Sequence, residues 1–264
     1  MKPITLIHSV LFIICFVFLT VKGNAQKEGT RSFYQITVYH YKDSAQQNLI
    51  SNYLQNALLP SLHRMNIKNI GVFTALANDT STDKTTYVFM PLKSLNEAAD
   101  IAAKLSQDKG YNTAGKSYLE APYDTAPYSR METILLHAFP LAPGITEPQL
   151  TAGKTDRVYE LRSYEGATEK LYASKVKMFN TGDEVGIFKR LSFNSVFYAE
   201  VIAGSRMPNL MYMTTFESMT DRDAHWKLFG DDPAFKKLLA TPEYQHNVSK
   251  ADIIFLRPAG YSDL

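Results

Sequence analysis

Apolar and polar residues alternate with a period of two at 33–41 and 158–164, a pattern typical of β-strands, and six further short segments are also predicted as strands. In the first half the predicted strands are 33–41, 70–75, 85–92 and 132–139, with helices at 45–64 and 96–107. In the second half the predicted strands are 157–164, 195–202, 210–216 and 252–256, with helices at 168–179, 183–190 and 221–229. Each half therefore has the order strand, helix, strand, strand, helix, strand.

Similar segments of the two halves are separated by a nearly constant number of residues. Tyr34 and Tyr159, which lie 125 positions apart, begin similar alternating segments. The order βαββαβ is that of a ferredoxin-like domain, whose sheet has one face left bare by its helices. We therefore predict an α+β fold of two tandem ferredoxin-like domains, whose antiparallel sheets bury each other and pack into an α+β barrel.

Helix starts and a linker mark the domain boundaries. Ser94 with Glu97 forms a capping box, and Thr220 with Asp223 is a similar start in the second half. A stretch rich in proline and glycine separates the halves. We predict a first domain at 30–140, a linker at 141–155 and a second domain at 156–264.

The first 25 residues have the features of a signal peptide. Lys2 precedes a short apolar run at 10–21, and small residues at Gly23 and Ala25 form a cleavage site before Gln26. Cleavage after Ala25 predicts a periplasmic or secreted protein that contacts a membrane only through this segment, and an uncleaved anchor is the alternative. The single cysteine, Cys15, lies in the apolar run, so the mature chain has no disulfide or thiol chemistry.

Charge and motifs exclude several partners. The net charge is +2 without a basic run, which argues against nucleic acid. The segment from Gly110 to Ser117 (GYNTAGKS) fits the pattern of a phosphate-binding P-loop, but a predicted helix rather than a strand precedes it, so we expect no ATP binding. The histidines outside the leader, at positions 40, 63, 137, 225 and 246, form no helical i, i+4 pair, and no metal site is predicted.

Several motifs of the second half resemble the NIPSNAP family. They are VYELRSY at 158–164, KMF at 177–179, GDE at 182–184, SVFYAE at 195–200, GSRMPNLMYM at 204–213 and HW at 225–226. The first half looks like a more divergent copy. The resemblance implies the dimeric α+β barrel superfamily, which also includes heme-degrading and quinol-forming monooxygenases and relatives of chlorite dismutase. NIPSNAP proteins themselves have no settled chemistry, so the resemblance implies the fold more than the function.

The candidate site is a polar face of the second-half sheet. Strand alternation places Glu160, Arg162 and Tyr164 on one side of their strand, with Tyr198, Glu200 and Tyr212 as polar positions on the neighbouring strands. If the apolar residues Tyr159, Leu161, Phe197 and Val201 pack under the helices, these polar residues line the barrel interior. They could then bind a small anionic or aromatic ligand, or form a buried network that only holds the sheets in register.

His225 is the last candidate ligand-binding residue, because heme-binding relatives in this superfamily use a helix histidine. A heme is nevertheless a remote alternative, and no cofactor is expected. The predicted function is that of a NIPSNAP-domain protein of the cell envelope, a non-catalytic binding or scaffold protein with a polar and aromatic interior cavity. A monooxygenase acting on a small aromatic or heme-like substrate, a small-ligand carrier and a homodimeric assembly are left open.

Overall fold

Antiparallel pairing joins the strands of both halves into one closed barrel. The computed structural model describes residues 30–264, so the predicted signal peptide lies outside the described residues. Within them, the strands are β1 Phe33–Tyr41, β2 Gly71–Ala75, β3 Lys84–Leu92, β4 Arg130–Ala138, β5 Val158–Glu165, β6 Asn194–Ala203, β7 Asn209–Phe216 and β8 Lys250–Pro258. Their order around the barrel is β1-β3-β2-β8-β5-β7-β6-β4.

The strand order is the same in both halves. The first four strands lie in the order β4-β1-β3-β2, and the last four in the order β8-β5-β7-β6. Pairing of β2 with β8 and of β4 with β6 then closes the sheet on itself, which leaves no unpaired edge. The α+β barrel is thus present as one continuous sheet, and its division into two ferredoxin-like domains remains a prediction.

Helices cover the outside of the barrel. In the described chain they are α1 Ser44–Tyr53, α2 Leu59–Arg64, α3 Leu95–Gln107, α4 Lys109–Ala114, α5 Lys116–Leu119, α6 Glu169–Phe179, α7 Glu184–Arg190, α8 Met219–Asp231 and α9 Pro233–Ala240. A π-helical segment, Leu54–Leu58, joins α1 to α2. Among the residues described, none of these helices combines the length and the apolar character needed to span a bilayer.

The barrel interior is apolar, and this corrects the predicted facing of the strands. One cluster of buried side chains from both halves fills the interior, and Tyr159, Leu161, Phe197 and Val201 belong to it. The prediction that these four pack under the helices, with Glu160, Arg162, Tyr198, Glu200 and Tyr212 inside the barrel, is therefore wrong. Closing a small barrel buries its inner side chains most completely, so the more apolar face of each strand turns inward.

Local sequence signals set the helix starts. Ser94 caps α3 by accepting a hydrogen bond from the backbone N–H of Glu97, as predicted. In the second half the cap is Ser218, which accepts from the N–H of Asp221, so the start predicted at Thr220 is two residues late. Serine and threonine both suit a cap, and only the end of β7 decides which of them is used.

The P-loop-like segment is helical. Residues 110–117 lie across α4 and α5, and α3 precedes them. Lys116 forms an exposed ion pair with Glu120, one helical turn away, at 3.8 Å. The backbone thus lacks the strand-to-helix turn in which amide groups surround a phosphate.

Candidate functional site

Each half encloses a space between its sheet and its helices. The repeat makes these two spaces comparable position by position, since the caps Ser94 and Ser218 lie 124 residues apart and begin equivalent helices. In the second half the part of this space beside Glu160 is filled by a network of charged and aromatic side chains. In the first half it is a cavity.

Glu160 is the centre of the second-half network. Its side chain is fully buried, on the outward face of β5. It accepts hydrogen bonds from Arg162 Nε at 2.6 Å, from Arg222 Nε at 2.8 Å and from the indole Nε1 of Trp226 at 2.8 Å. A carboxylate in this position is stabilised because charged and neutral donors from β5 and α8 replace its lost water.

Aromatic contacts complete the network. The Arg162 guanidinium lies 3.6 Å from the centroid of the Trp226 ring, and its Nη1 donates to the hydroxyl of Tyr164 at 2.8 Å. The hydroxyl of Tyr164 lies 2.9 Å from that of Tyr212, whose pKa burial raises well above the ordinary value. Four of the predicted site residues therefore come together, but they satisfy one another and leave no room for a ligand between them.

The other three predicted residues lie apart from Glu160. The hydroxyl of Tyr198 bonds to Ser195 at 2.6 Å, although its ring stacks on that of Tyr212. Glu200 accepts from Arg31 at 2.8 Å and from Tyr172 at 3.2 Å, near the edge between the halves. His225 lies on α8, with its Nδ1 2.9 Å from the carbonyl oxygen of Asp221.

His225 lies against the aromatic core of the second half. Its ring packs against Phe193 and Phe216, with centroids 5.4 and 5.7 Å away, and its Nδ1 is already engaged with the backbone. These contacts hold the half-buried ring of His225 in a fixed orientation. Within residues 30–264, no group of three or more His, Cys, Asp or Glu is arranged to hold a metal ion.

The first half contains a cavity of about 390 Å³ between its sheet and its helices. We call this space the tyrosine cavity. Its lining side chains come from β1, β3 and β4 and from the helices that cover them, and none of the lining residues is charged. They are Gln35, Thr37, Tyr39, Tyr53, Leu58, Leu62, Val88, Met90, Ala98, Ile101, Ala102, Leu105, Tyr111, Tyr118, Leu119, Tyr128, Met131 and Thr133.

Five tyrosines form an aromatic wall in this cavity. Tyr53 and Tyr118 stack with ring centroids 3.9 Å apart, and Tyr128 lies 6.0 Å from Tyr118. The hydroxyls of Tyr53 and Tyr111 are 2.8 Å apart, and burial raises the pKa of Tyr39, Tyr53 and Tyr118 above the ordinary value. The phenols are therefore neutral at physiological pH and can donate or accept hydrogen bonds at the edge of an apolar space.

The repeat explains why one space is open and the other is full. Where β5 carries Glu160 and Arg162, the equivalent positions of β1 carry Gln35 and Thr37. Where α8 carries Arg222 and Trp226, α3 carries alanine at both equivalent positions, 98 and 102. At these four positions the cavity therefore has uncharged residues, and three of them, Thr37, Ala98 and Ala102, are also smaller than their counterparts in the network.

The sequence did contain part of this signal. Gln35, Thr37 and Tyr39 match Glu160, Arg162 and Tyr164 by strand alternation, so one side of the cavity could be found from the repeat. The helix and loop tyrosines could not, because Tyr53, Tyr111, Tyr118 and Tyr128 come from separate segments that only the fold brings together.

Comparisons with known proteins agree with this architecture. The chain is similar in structure to a candidate monooxygenase from Fusobacterium nucleatum, with 6% identity, a TM-score of 0.57 and coverage of 87% of this chain and 93% of that chain. It is similarly related to a candidate monooxygenase from Lactobacillus acidophilus, with 12% identity, a TM-score of 0.56 and coverage of 86% and 94%. At these identities the likeness shows the fold alone.

Other solved structures match a smaller share of the chain. A NIPSNAP family protein of unknown function from Agrobacterium tumefaciens aligns over 41% of this chain and 93% of its own, with 18% identity and a TM-score of 0.35. No curated protein matched the chain. Residues 159–263 match the NIPSNAP family model, and in the structure they form most of the second half of the closed α+β barrel.

Proposed function

We propose that the protein is a non-catalytic binding protein that takes up a small, uncharged, largely apolar molecule in the tyrosine cavity. The observation that carries the proposal is the contrast between the halves. The same space is filled by Glu160, Arg162 and Trp226 in one half and left open in the other.

The size and chemistry of the cavity suit such a ligand. Its volume lies in the range of small-molecule sites, about 300–1,000 Å³, and these are typically apolar with a few polar groups. An ion would lose its hydration in this space without gaining an opposite charge, which disfavours charged ligands. Of the predicted anionic or aromatic ligands, the aromatic one is therefore the better match for this cavity.

The polar groups of the cavity lie mainly on the sheet. Gln35 donates to Thr37 at 3.1 Å, and Thr133 is the pairing partner of Thr37 on β4. Tyr53, Tyr111 and Tyr118 of the covering helices lie across from them, together with the apolar residues of α3. A flat molecule with a hydroxyl or carbonyl group on one edge would satisfy both sides, with its polar edge toward β1 and β4 and its ring toward the tyrosines.

The alternatives have less support. A monooxygenase is suggested by fold likeness at 6% and 12% identity, which does not establish chemistry. A scaffold role would not account for the tyrosine cavity. A small-ligand carrier would use the same cavity, and it would bind the ligand and later release it.

The location and domain organisation belong to the same proposal. We place the mature protein, beginning at Gln26, in the periplasm or outside the cell, because the leader has the composition of a signal peptide. We also regard the chain as a tandem repeat of ferredoxin-like units, supported by the matching strand orders of the two halves. In this arrangement one unit binds the ligand, and the other carries the network at the equivalent place.

Binding can be tested with a neutral aromatic fluorophore, N-phenyl-1-naphthylamine. Its fluorescence should rise and saturate at one equivalent of wild-type protein. The variant Ala98→Phe places a ring in the cavity and should weaken binding at least about tenfold, because a filled cavity excludes the probe. The matched control is Ala99→Phe on the solvent side of the same helix, which should bind as wild type does.

Two results would count against the proposal. Equal binding by the Ala98→Phe and Ala99→Phe variants would show that the probe occupies another surface. Absence of saturable binding in wild type, together with no organic molecule released from the purified protein on denaturation, would leave the tyrosine cavity without a ligand.

A further inference from the structure

A second cavity, of about 180 Å³, opens at one end of the barrel. We call it the mouth cavity. Its walls include inward-facing apolar residues of both halves, among them Val38, Ile134, Val201 and Ile254. Polar and charged residues form the rest of the lining, including Asp83, which pairs with His40 at 2.9 Å. It lies on the other side of the sheet from the tyrosine cavity, so the two are separate sites.

Two side chains from outside the strands pack against the interior cluster of the barrel. The C-terminal Leu264 is buried in the interior cluster, and Ile145 from the linker packs against the same cluster.

Inward-facing positions change from apolar to charged at this end. On β4, Ile134 is followed toward the mouth by Glu132 and then by Arg130, and on β8, Ile254 is followed by Asp252. Glu132 pairs with Arg130, and Asp252 pairs with Arg206. Each half thus supplies one arginine, held by one carboxylate, at the edge of an apolar space.

The two arginines have donors to spare. Their side chains are 55% and 48% exposed, although both line the cavity. A guanidinium has five N–H donors and binds a carboxylate well in a bidentate fashion. His40, which is buried, lies 3.1 Å from Arg130 Nη2 and steadies that side chain toward the mouth.

We propose that the mouth cavity binds a small organic carboxylate, with its acid group between Arg130 and Arg206 and its apolar body inside the barrel. The volume equals that of about six water molecules, at about 30 Å³ each, which suits a single ring or a short chain. The two halves would bind this ligand jointly, since each contributes one of the arginines.

The experiment uses 4-fluorobenzoate as the probe and 4-fluorobenzyl alcohol as its uncharged counterpart, both followed by fluorine NMR with the mature protein. We expect saturable binding of the acid, at least about tenfold tighter than that of the alcohol, because hydrogen bonds to a charged group are worth more than neutral ones. Arg206→Gln and Arg130→Gln should each lower the affinity for the acid about tenfold, and each should leave the affinity for the alcohol nearly unchanged.

Three controls locate the site. Val201→Phe fills the mouth cavity and should abolish binding of the acid, while the arginine variants test the same site if this one does not fold. Arg190→Gln changes a half-exposed arginine that pairs with Asp232 on the outer helices and should have no effect. Ala98→Phe blocks only the tyrosine cavity and should also have no effect, so this proposal can fail independently of the proposed function.

Equal affinity for the acid and the alcohol, unchanged binding in both arginine variants, or absence of saturable binding would each overturn the assignment.

Discussion

Removing the Arg162 guanidinium should destabilise the second half strongly, because it leaves a buried carboxylate with fewer partners. Arg162→Met keeps most of the side-chain volume but removes two contacts to Glu160, at 2.6 and 2.5 Å, and the contact with the Trp226 ring. Breaking a buried ion pair costs about 3–5 kcal/mol. The lower end, about 3 kcal/mol, applies here because Arg222 still faces Glu160 at 2.8 Å.

The loss is measurable by urea unfolding. Trp226 is the one tryptophan of the chain, so its fluorescence reports directly on the network, and far-UV circular dichroism reports on the whole barrel. Coincident transitions would justify a two-state free energy. A change of about 3 kcal/mol corresponds to a fall in Tm of about 6–12 °C for a chain of this size.

Two further variants make the reasoning refutable. Lys116→Met removes an exposed ion pair and should cost less than about 1 kcal/mol. Glu160→Gln combined with Arg162→Met should cost clearly less than the sum of the single changes, since the charge left unpaired by one is removed by the other. A loss below about 1 kcal/mol for Arg162→Met, or strict additivity, would show that Glu160 does not depend on Arg162.

Three other predictions follow from the same structure and sequence. Burial raises the pKa of Tyr39, Tyr53 and Tyr118 in the folded state above the unfolded value of about 10, so their contribution to stability is complete below pH 10 and is lost as the pH rises beyond it. The part of the tyrosinate absorbance at 295 nm that comes from these three residues, found by difference from their Tyr→Phe variants, should therefore rise together with loss of circular dichroism. Ionisation of these phenols in a still-folded protein would contradict this. Lys116→Ala should leave stability unchanged within about 0.5 kcal/mol, and isothermal titration should detect no ATP binding that depends on this lysine. N-terminal sequencing of protein from the host envelope should find Gln26 as the first residue, and recovery of an intact leader would refute cleavage.

The elements of the fold could be predicted from the chain because their signals are local. Strand β1 is found at the predicted residues, 33–41. The prediction is reliable here because alternation over nine positions is typical of a strand and does not match the period of a helix. Asp232 caps α9 through the N–H groups of Ala234 and Phe235, as its place before Pro233 indicates. Even the repeat is visible, since matching strands and caps lie at a nearly constant separation.

The inward and outward faces of the strands could not be determined in this way. Most residues of β5 are buried on both faces of the strand. Alternation therefore assigns the residues to two faces, but it does not show which face lies inside the barrel. Only closure of the sheet decides that Tyr159 and Leu161 lie inside while Glu160 and Arg162 lie under α8.

The difference between the cavity and the network is likewise tertiary. The sequence alone shows alanines at 98 and 102 and larger residues at 222 and 226, but not that these positions face β1 and β5. Whether a space is filled depends on side chains that come together from distant segments of the chain. The pattern of residues along one sequence does not give the distances between those side chains. The sequence thus determined the elements and their repetition, and packing of the helices on the closed barrel decided which half has room for a ligand.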